Sequence, residues 1–321
     1  MLPKVSILIP CYNADRWITQ AIESALNQTY PHTEVIVVDD GSSDRSLEII
    51  RSYGDRIRWE TQPNRGGNAA RNRLLELSTG NWLQYLDADD YLLPQKIEQQ
   101  VNHLAQVPQA DILYSPSIYE YWQDDTSHRE VEVIPEPHDP WILLARWYLP
   151  QTGSPLWRKQ ALLDVGGWKV DQPCCQEHEL YLRLLMADKK FKYFEPAGSV
   201  YRQWSEETVC KRDKLRTQRY RLVIKDQVEQ HLKAIAQLTE PRQTAINQAR
   251  FECARIIWLS DPTWALQIIS QIQRSEARFL PSGNAAPLLY RLSYQFLGFS
   301  AAEKIANSKR QFQRSWIRQN F

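Results

Sequence analysis

Val5-Ser6-Ile7-Leu8-Ile9-Pro10-Cys11-Tyr12-Asn13 is the stretch from which the rest of the chain is best read. Val5–Ile9 is an apolar run closed by Pro10, the pattern of a strand covered on both faces. Just downstream, Trp17, Ala21 and Ala25, together with Ile22 and Leu26, fall at helical spacing, so Arg16–Gln28 is expected as a helix. Val35–Val38 is a second buried strand, closed by Asp39-Asp40-Gly41, and Ser43 or Asp44 is placed to cap a helix that runs to about Tyr53. Ile57–Thr61 reads as a third strand, Asn68–Ser78 as a helix and Trp82–Leu86 as a fourth strand. Short apolar strands separated by helices predict βαβ units and a mostly parallel sheet flanked by helices. In such a sheet the ligand lies beyond the carboxyl ends of the strands. Pro10, Asp39 and Asp87 each follow a strand and are expected to converge on one crevice.

Further along, the pattern is mixed. Extended pieces are expected at Ile112–Ser115, Ile118–Trp122 and Glu130–Ile134, and helices at Trp141–Trp147 and Glu179–Ala187. Beyond Lys211 the strand signals fade into long polar helices broken near Pro241, Pro262, Pro281 and Pro287. The organisation expected is a nucleotide-binding half over 1–110, an acceptor-binding half of the same domain over 111–210, and a helical carboxy-terminal region over 211–321.

Composition narrows the class. With 43% hydrophobic and 24% charged residues, the chain of 321 residues has the makeup of a globular protein rather than a disordered one. A formal net charge of +1 gives no reason to expect a nucleic-acid partner. The 5 cysteines, Cys11, Cys174, Cys175, Cys210 and Cys253, lack the spacing of a zinc site or a disulfide framework. With no leader-like start and no apolar stretch of membrane-spanning length, a reducing cytoplasm is the expected setting.

The chemistry is acidic. No Gly-x-Gly-x-x-Gly follows the first strand and no Gly-x-x-x-x-Gly-Lys-Ser/Thr loop is present, which disfavours dehydrogenase and P-loop readings. Instead, Asp87-Ala88-Asp89-Asp90 follows the fourth strand. If that segment stays extended, Asp87 and Asp89 project to one side. Two carboxylates converging there suit Mg²⁺ or Mn²⁺, which bridges to a substrate diphosphate. Read alone, the triplet is more simply a solvated acidic turn or helix cap. Asp39-Asp40-Gly41-Ser42-Ser43-Asp44 is a second acidic turn, suited to a ribose or base, or simply to capping. Asn64-Arg65-Gly66-Gly67-Asn68 to Asn72 sets glycines before a helix start with Arg65 and Arg71 near by, either an anion cradle or an ordinary loop.

In their order and spacing these elements resemble the family 2 glycosyltransferases, which have the glycosyltransferase A fold. The matching text is Val5–Asn13, Ala25–Tyr30, Glu34–Asp44, Asn64–Asn72, Gly80 and Leu86–Asp90. The resemblance implies a Rossmann-like nucleotide half in which Pro10, Tyr12 and Asp39 line the nucleoside pocket. It places Asn64 and Arg71 near the sugar-phosphate, and Asp87 and Asp89 in the metal motif. It continues more loosely through Gly153–Arg158 and Val165–Trp168. Gln176-Glu177-His178-Glu179-Leu180 resembles the family's base-bearing helix start, with Glu177 where the catalytic Asp usually stands and Glu179 as the fallback. A partly desolvated pocket there is expected to raise the carboxyl toward neutrality. His178 is expected on the surface or in a structural hydrogen bond. Some relatives carry a histidine after Tyr-Arg in the next strand, near the metal; here Tyr201-Arg202-Gln203-Trp204 has none, and Trp204 is read as covering a sugar face or packing in the core.

The implied reaction is metal-dependent, inverting transfer from a nucleoside-diphosphate sugar to a hydroxyl of a saccharide or lipid-linked acceptor, in polysaccharide, lipopolysaccharide or glycolipid synthesis. The rivals are a nucleotidyltransferase and a non-catalytic module descended from such an enzyme. Lys211-Arg212-Asp213-Lys214 is read first as a solvated helix face, with phosphate or an anionic membrane surface as the alternative. Gln311–Phe321, where Phe312, Trp316 and Ile317 lie among arginines, either docks back onto the protein or rests on the inner face of a membrane as a peripheral contact.

Overall fold

A computed structural model describes residues 2–123, 126–204 and 213–320, with side chains described as far as 308. The chain divides into two compact units, the first Met1–Leu144 with Tyr148–Arg212 and the second Ala145–Trp147 with Asp213–Phe321.

The first unit is mixed α/β. In chain order it holds β1 (Val5–Cys11), α1 (Ile18–Leu26), β2 (Thr33–Asp39), α2 (Ser46–Ser52), β3 (Arg58–Thr61), α3 (Gly67–Leu77) and β4 (Trp82–Tyr85). Then come β5 (Tyr91–Leu92), α4 (Lys96–Leu104), β6 (Ile112–Tyr114), β7 (Ser117–Gln123), β8 (Thr126–Val131) and α5 (Pro140–Arg146). It closes with β9 (Leu156–Arg158), α6 (Lys159–Asp164), α7 (Gln176–Met186), β10 (Phe191–Tyr193) and β11 (Ser199–Gln203). The main sheet runs β10-β6-β9-β4-β1-β2-β3, parallel except for β9, which is antiparallel to both neighbours. A smaller sheet runs β5-β11-β7-β8. Val5, Ile7, Ile9, Val35 and Val37 are buried together with Ile18, Ile22 and Ile50, so the central strands are covered by the helices predicted to cover them.

Three expectations need correcting. Pro10 does not end its strand but pairs with Val38 inside it. The Leu8 carbonyl accepts from Leu86 on the β4 side, and β4 is no longer paired by Pro10, so the proline's missing N–H falls where no partner stands. The piece expected at Glu130–Ile134 lies earlier, at Thr126–Val131, because it is an exposed hairpin arm whose register is set by its pairing with β7 rather than by burial. The helix expected from Glu179 starts at Gln176, after Cys175 in the left-handed region, which puts Glu177 in its first turn.

The second unit is helical: α8 (Lys214–Ala234), α9 (Glu240–Ile257), α10 (Pro262–Ser275) and α11 (Leu288–Asn320), the last broken at Gly298. Pro241 and Pro262 sit in first turns, where a missing N–H costs nothing. Phe251, Ile257, Ile268, Ile272, Tyr290 and Tyr294 form its core.

Candidate active site

β1, β2 and β4 end side by side, and the loops that follow them enclose a cavity of about 320 Å³. Pro10, Tyr12, Asp40, Arg71, Asp87 and Asp89 are among its walls. The topology therefore brings five strand-end or helix-start segments to one place. Glu177, Asp39 and Asn64 are not among the residues that line it.

The acid turn after β4 is not extended. Asp90 N–H donates to the Asp87 carbonyl at 3.0 Å, closing a tight turn. Strand alternation therefore cannot be why Asp87 and Asp89 share a side; the turn turns both into the cavity. Asp87 Oδ1 accepts from Arg71 Nη2 at 2.7 Å. Asp89 Oδ2 accepts from the Trp204 indole Nε1 at 3.0 Å. Asp90 is buried and accepts from the Arg202 backbone N–H at 2.9 Å. Burial first, and then the neighbouring charge of Asp87, raises the Asp89 carboxyl above the ordinary range. Burial and Asp89 push Asp90 well above it.

Arg202, noted in the sequence only for the histidine it lacks beside it, organises this turn. Its guanidinium lies 4.4 Å from the Trp17 ring and 4.5 Å from Tyr91, sandwiched between them. Nη1 donates to the Asp89 carbonyl at 2.6 Å, and Nε reaches Glu120 Oε2 at 3.3 Å. Trp204 is 44% exposed, packs 5.9 Å from Trp17 and borders the cavity, so it is not a core residue.

The acids after β2 differ. Asp39 is fully buried; Thr61 Oγ1 donates to it at 2.9 Å, and the Ser42 N–H approaches both carboxylate oxygens at 3.3 and 3.4 Å. Asp40 accepts from the N–H groups of Arg65 at 3.0 Å and Gly66 at 2.8 Å, and from Gln62 Nε2 at 2.7 Å. Two backbone donors before the α3 helix start, where the sequence left either an anion cradle or an ordinary loop, are thus filled from within. Asn64 is exposed in that loop.

Arg71 links the metal motif to α7. Besides Asp87, it donates through Nη1 to Gln176 Oε1 at 2.9 Å and lies 4.9 Å from the Trp168 ring. Glu177 follows in the first turn of α7, its side chain only 18% exposed. Burial acts to raise its carboxyl, but hydrogen bonding and charge from His178, its own backbone N–H and Arg71 outweigh that and lower it. The expected upward shift is therefore reversed, because the desolvated pocket also brings His178 and Arg71 to the carboxylate. Glu179 is already gripped by Arg183, with Nε at 2.8 and 3.0 Å and Nη2 at 2.8 Å. His178 is fully buried rather than on the surface; Nδ1 stands 3.3 Å from Glu177 Oε1 and the ring meets Tyr181 edge-on.

A feature the sequence reading missed lies on the small sheet. Tyr201 pairs with Tyr119, and Tyr121 with His128, so the four rings share one face. Neighbouring centroids are 5.5, 6.1 and 5.1 Å apart. The alternation of β7 carried the signal, but strand partners cannot be assigned from one strand.

Among the described residues, no three His, Cys, Asp or Glu side chains stand close enough to hold a metal by themselves. Asp87 and Asp89 offer two hard oxygen donors. That suits Mg²⁺ or Mn²⁺, which takes one or two carboxylates and completes its shell with water and substrate phosphates. Burial raises Asp89 most and the charge of Asp87 adds to it, and a bound cation would favour the ionised form against both.

Comparison with known proteins bears on the family and the fold. Residues 6–156 match the model for glycosyl transferase family 2. An uncharacterized glycosyltransferase of Haemophilus influenzae is 41% identical over 109 residues, which is 33% of this chain and 44% of that protein. A chondroitin synthase of Escherichia coli is 41% identical over 100 residues, 30% of this chain and 15% of that protein. The chain thus spans less than half the length of these relatives. S. aureus TarS 1-349 in complex with UDP superposes with a TM-score of 0.65 at 19% identity, over 96% of this chain and 91% of that one. The mannosyltransferase PcManGT from Pyrobaculum calidifontis, in complex with GDP-Man and Mn²⁺, gives a TM-score of 0.50 at 18% identity, over 97% and 88%. At such identities the likeness is one of fold.

Proposed function

The chain carries a glycosyl transferase family 2 domain on the glycosyltransferase A fold, and from that premise we propose that it transfers a sugar from a nucleoside-diphosphate donor to a hydroxyl acceptor with inversion. The observation that carries the reading is the convergence of Asp87, Asp89 and Arg71 on one cavity, with Arg71 reaching on to the helix start that bears Glu177.

In this reading Pro10, Tyr12 and Asp39 form the nucleoside side of the donor site, and Asn64 and Arg71 lie near its sugar-phosphate portion. Tyr12 is 53% exposed at the cavity wall, available to lie on a base. Asp39 acts from behind by fixing the turn at Ser42. Asp87 and Asp89 would hold Mn²⁺ or Mg²⁺, and the ion, when bound, offsets charge on the departing diphosphate. Arg71 keeps Asp87 aimed and adds positive charge beside it. Glu177 stays ionised at neutral pH and takes the proton of the acceptor hydroxyl. As it does so, that oxygen bonds to the anomeric carbon and the bond from that carbon to the diphosphate oxygen breaks. Glu179 is the weaker candidate because Arg183 occupies both of its oxygens. The ring face of Tyr201, Tyr119 and Tyr121 supports a saccharide acceptor, since flat rings stack on the apolar faces of sugars. A cytoplasmic role in polysaccharide, lipopolysaccharide or glycolipid synthesis, with peripheral contact at the inner face of the membrane, completes the reading.

The test is thermal unfolding with a panel of nucleoside diphosphates and their sugars, with and without Mn²⁺. A fitting donor at about a hundred times its Kd adds about 2.7 kcal/mol of stability, and the gain should require the ion. If no nucleotide raises the melting temperature under either condition, the proposal fails.

A further inference from the structure

Helix α11 exposes the apolar residues that a helix in water would bury. Up to the break at Gly298 (φ 77°, ψ 175°), it turns Tyr290 and Tyr294 into the core of the helical unit. Toward solvent it presents Leu289 (70% exposed), Phe296 (75%), Leu288, Leu292 and Leu297. Past the break, Ile305 is also exposed and joins Leu288, Leu289, Ala302 and Ala306 in lining an apolar groove of about 410 Å³. Singly exposed leucines are ordinary, but a contiguous patch of this kind marks a contact surface.

Charge indicates what the patch contacts. Between Leu288 and Ser308 the only acid is Glu303, which is fully buried, paired with Arg255 and bonded by Tyr290 Oη at 2.8 Å. The exposed charges of that stretch are Arg291 and Lys304. The sequence that follows adds Lys309, Arg310, Arg314 and Arg318 and no acid. A second copy seated on this face would set these cations against their own likeness, whereas an anionic sheet of phosphates neutralises them. Leu288–Leu297 spans about 15 Å at the helical rise, half of a bilayer core, and no described helix is long and apolar enough to cross a membrane. Such a segment lies in the interface plane rather than through it.

We propose that the outer face of α11 around Leu289, Leu292 and Phe296, flanked by Arg291 and Lys304, is a docking surface for an anionic phospholipid bilayer. It deepens the peripheral contact proposed above by naming its surface and lipid class, and it rests on none of the sugar chemistry. It differs from the tail over Gln311–Phe321 suggested by the sequence, whose side chains lie outside the described residues.

The experiment is co-sedimentation of the full chain with vesicles of mixed phosphatidylglycerol and phosphatidylcholine, and with vesicles of phosphatidylcholine alone. Binding is expected only to the anionic vesicles and should weaken as salt rises. Phe296→Asp with Leu289→Asp should lower the partition coefficient by about tenfold or more, with thermal unfolding unchanged because both side chains face solvent. Arg291→Glu should lower it about threefold to tenfold, on the anionic vesicles only. Equal binding to both vesicle types, no binding at all, or variants that bind as well as wild type would overturn the proposal. So would a dimer in sedimentation equilibrium that Phe296→Asp dissolves. If the sugar-transfer reading alone were wrong, nucleotides would leave the melting temperature untouched while vesicle binding persisted.

Discussion

The ends of β2 and β4 carry nearly the same text, Asp39-Asp40 in one and Asp87-Ala88-Asp89-Asp90 in the other, yet the protein uses their carboxylates differently. After β2, the donors are fixed parts of the fold: Thr61, Gln62 and the N–H groups of Ser42, Arg65 and Gly66. These acids build a loop. After β4, Asp90 takes the same kind of role through Arg202, while Asp87 and Asp89 face the cavity and each meets a side-chain donor, Arg71 or Trp204. In the proposed reading, an acid at a strand end is left to a ligand when rigid backbone donors do not fill it. The sequence of the acid itself does not decide this.

The sharpest way to break the comparison is to remove one acid from each end. Asp89→Asn should abolish the Mn²⁺-dependent part of nucleotide binding and leave thermal unfolding of the free protein nearly unchanged. Asp40→Asn should lose roughly 1–3 kcal/mol of stability, because Arg65 or Gly66 N–H is left without its acceptor, while Mn²⁺ dependence persists. Calorimetric titration and melting curves on both variants decide it; exchanged phenotypes would invert the assignment.

Next in size is Glu177→Gln, expected to slow transfer by roughly 10²–10⁴-fold, the range for losing a positioned base. Because His178 and Arg71 hold its carboxyl below the ordinary range, the acidic limb of the kcat/KM profile should fall below the usual carboxylate region. A limb near neutral pH would mean a different group takes the proton.

Much of this was legible in the sequence. The parallel core strands, their helices and the convergence of Pro10 with the two acid turns follow from short apolar runs and the geometry of βαβ units. What was not legible depends on contacts far apart in the chain. The turn at Asp87 to Asp90 is held by Arg202, 113 positions beyond Asp89. The downward shift at Glu177 comes partly from Arg71, and the ring face of Tyr201, Tyr119 and Tyr121 exists only once β11 pairs with β7. Local pattern gives the strand; it does not give the partner strand or the charge that arrives with it.

Trp204→Phe tests the β4 end more gently. It keeps an aromatic ring beside Trp17 but removes the indole donor to Asp89. Losing such an orienting partner typically costs 10–100-fold in metal affinity, so Mn²⁺ affinity measured by calorimetry should fall within about that span, with the melting temperature unchanged. Unaltered affinity would mean that Asp89 is aimed by the Arg202 side-chain contact to its carbonyl alone.

The smallest effect belongs to Glu34, at the start of β2 and opposite its acid turn. It accepts from Ser6 Oγ at 2.5 Å, from the Thr79 N–H at 2.7 Å and from Lys4 Nζ at 3.1 Å. Burial alone would raise this carboxyl, but the Ser6, Thr79 and Lys4 hydrogen bonds outweigh it and hold it at about 2 against an ordinary 4.5. A carboxyl lowered by folding adds stability that is complete above the unfolded value and disappears as pH falls through the folded one. The acid limb of wild-type stability between pH 4.5 and about 2 should therefore be shallower in Glu34→Gln, while nucleotide and Mn²⁺ titrations match wild type. An acid limb that keeps its slope in the variant would show that Glu34, at the start of β2 and away from the turn at Asp39 and Asp40, is not a fully engaged acid, and full engagement by fixed donors would then be confined to the acids at the far end of that strand.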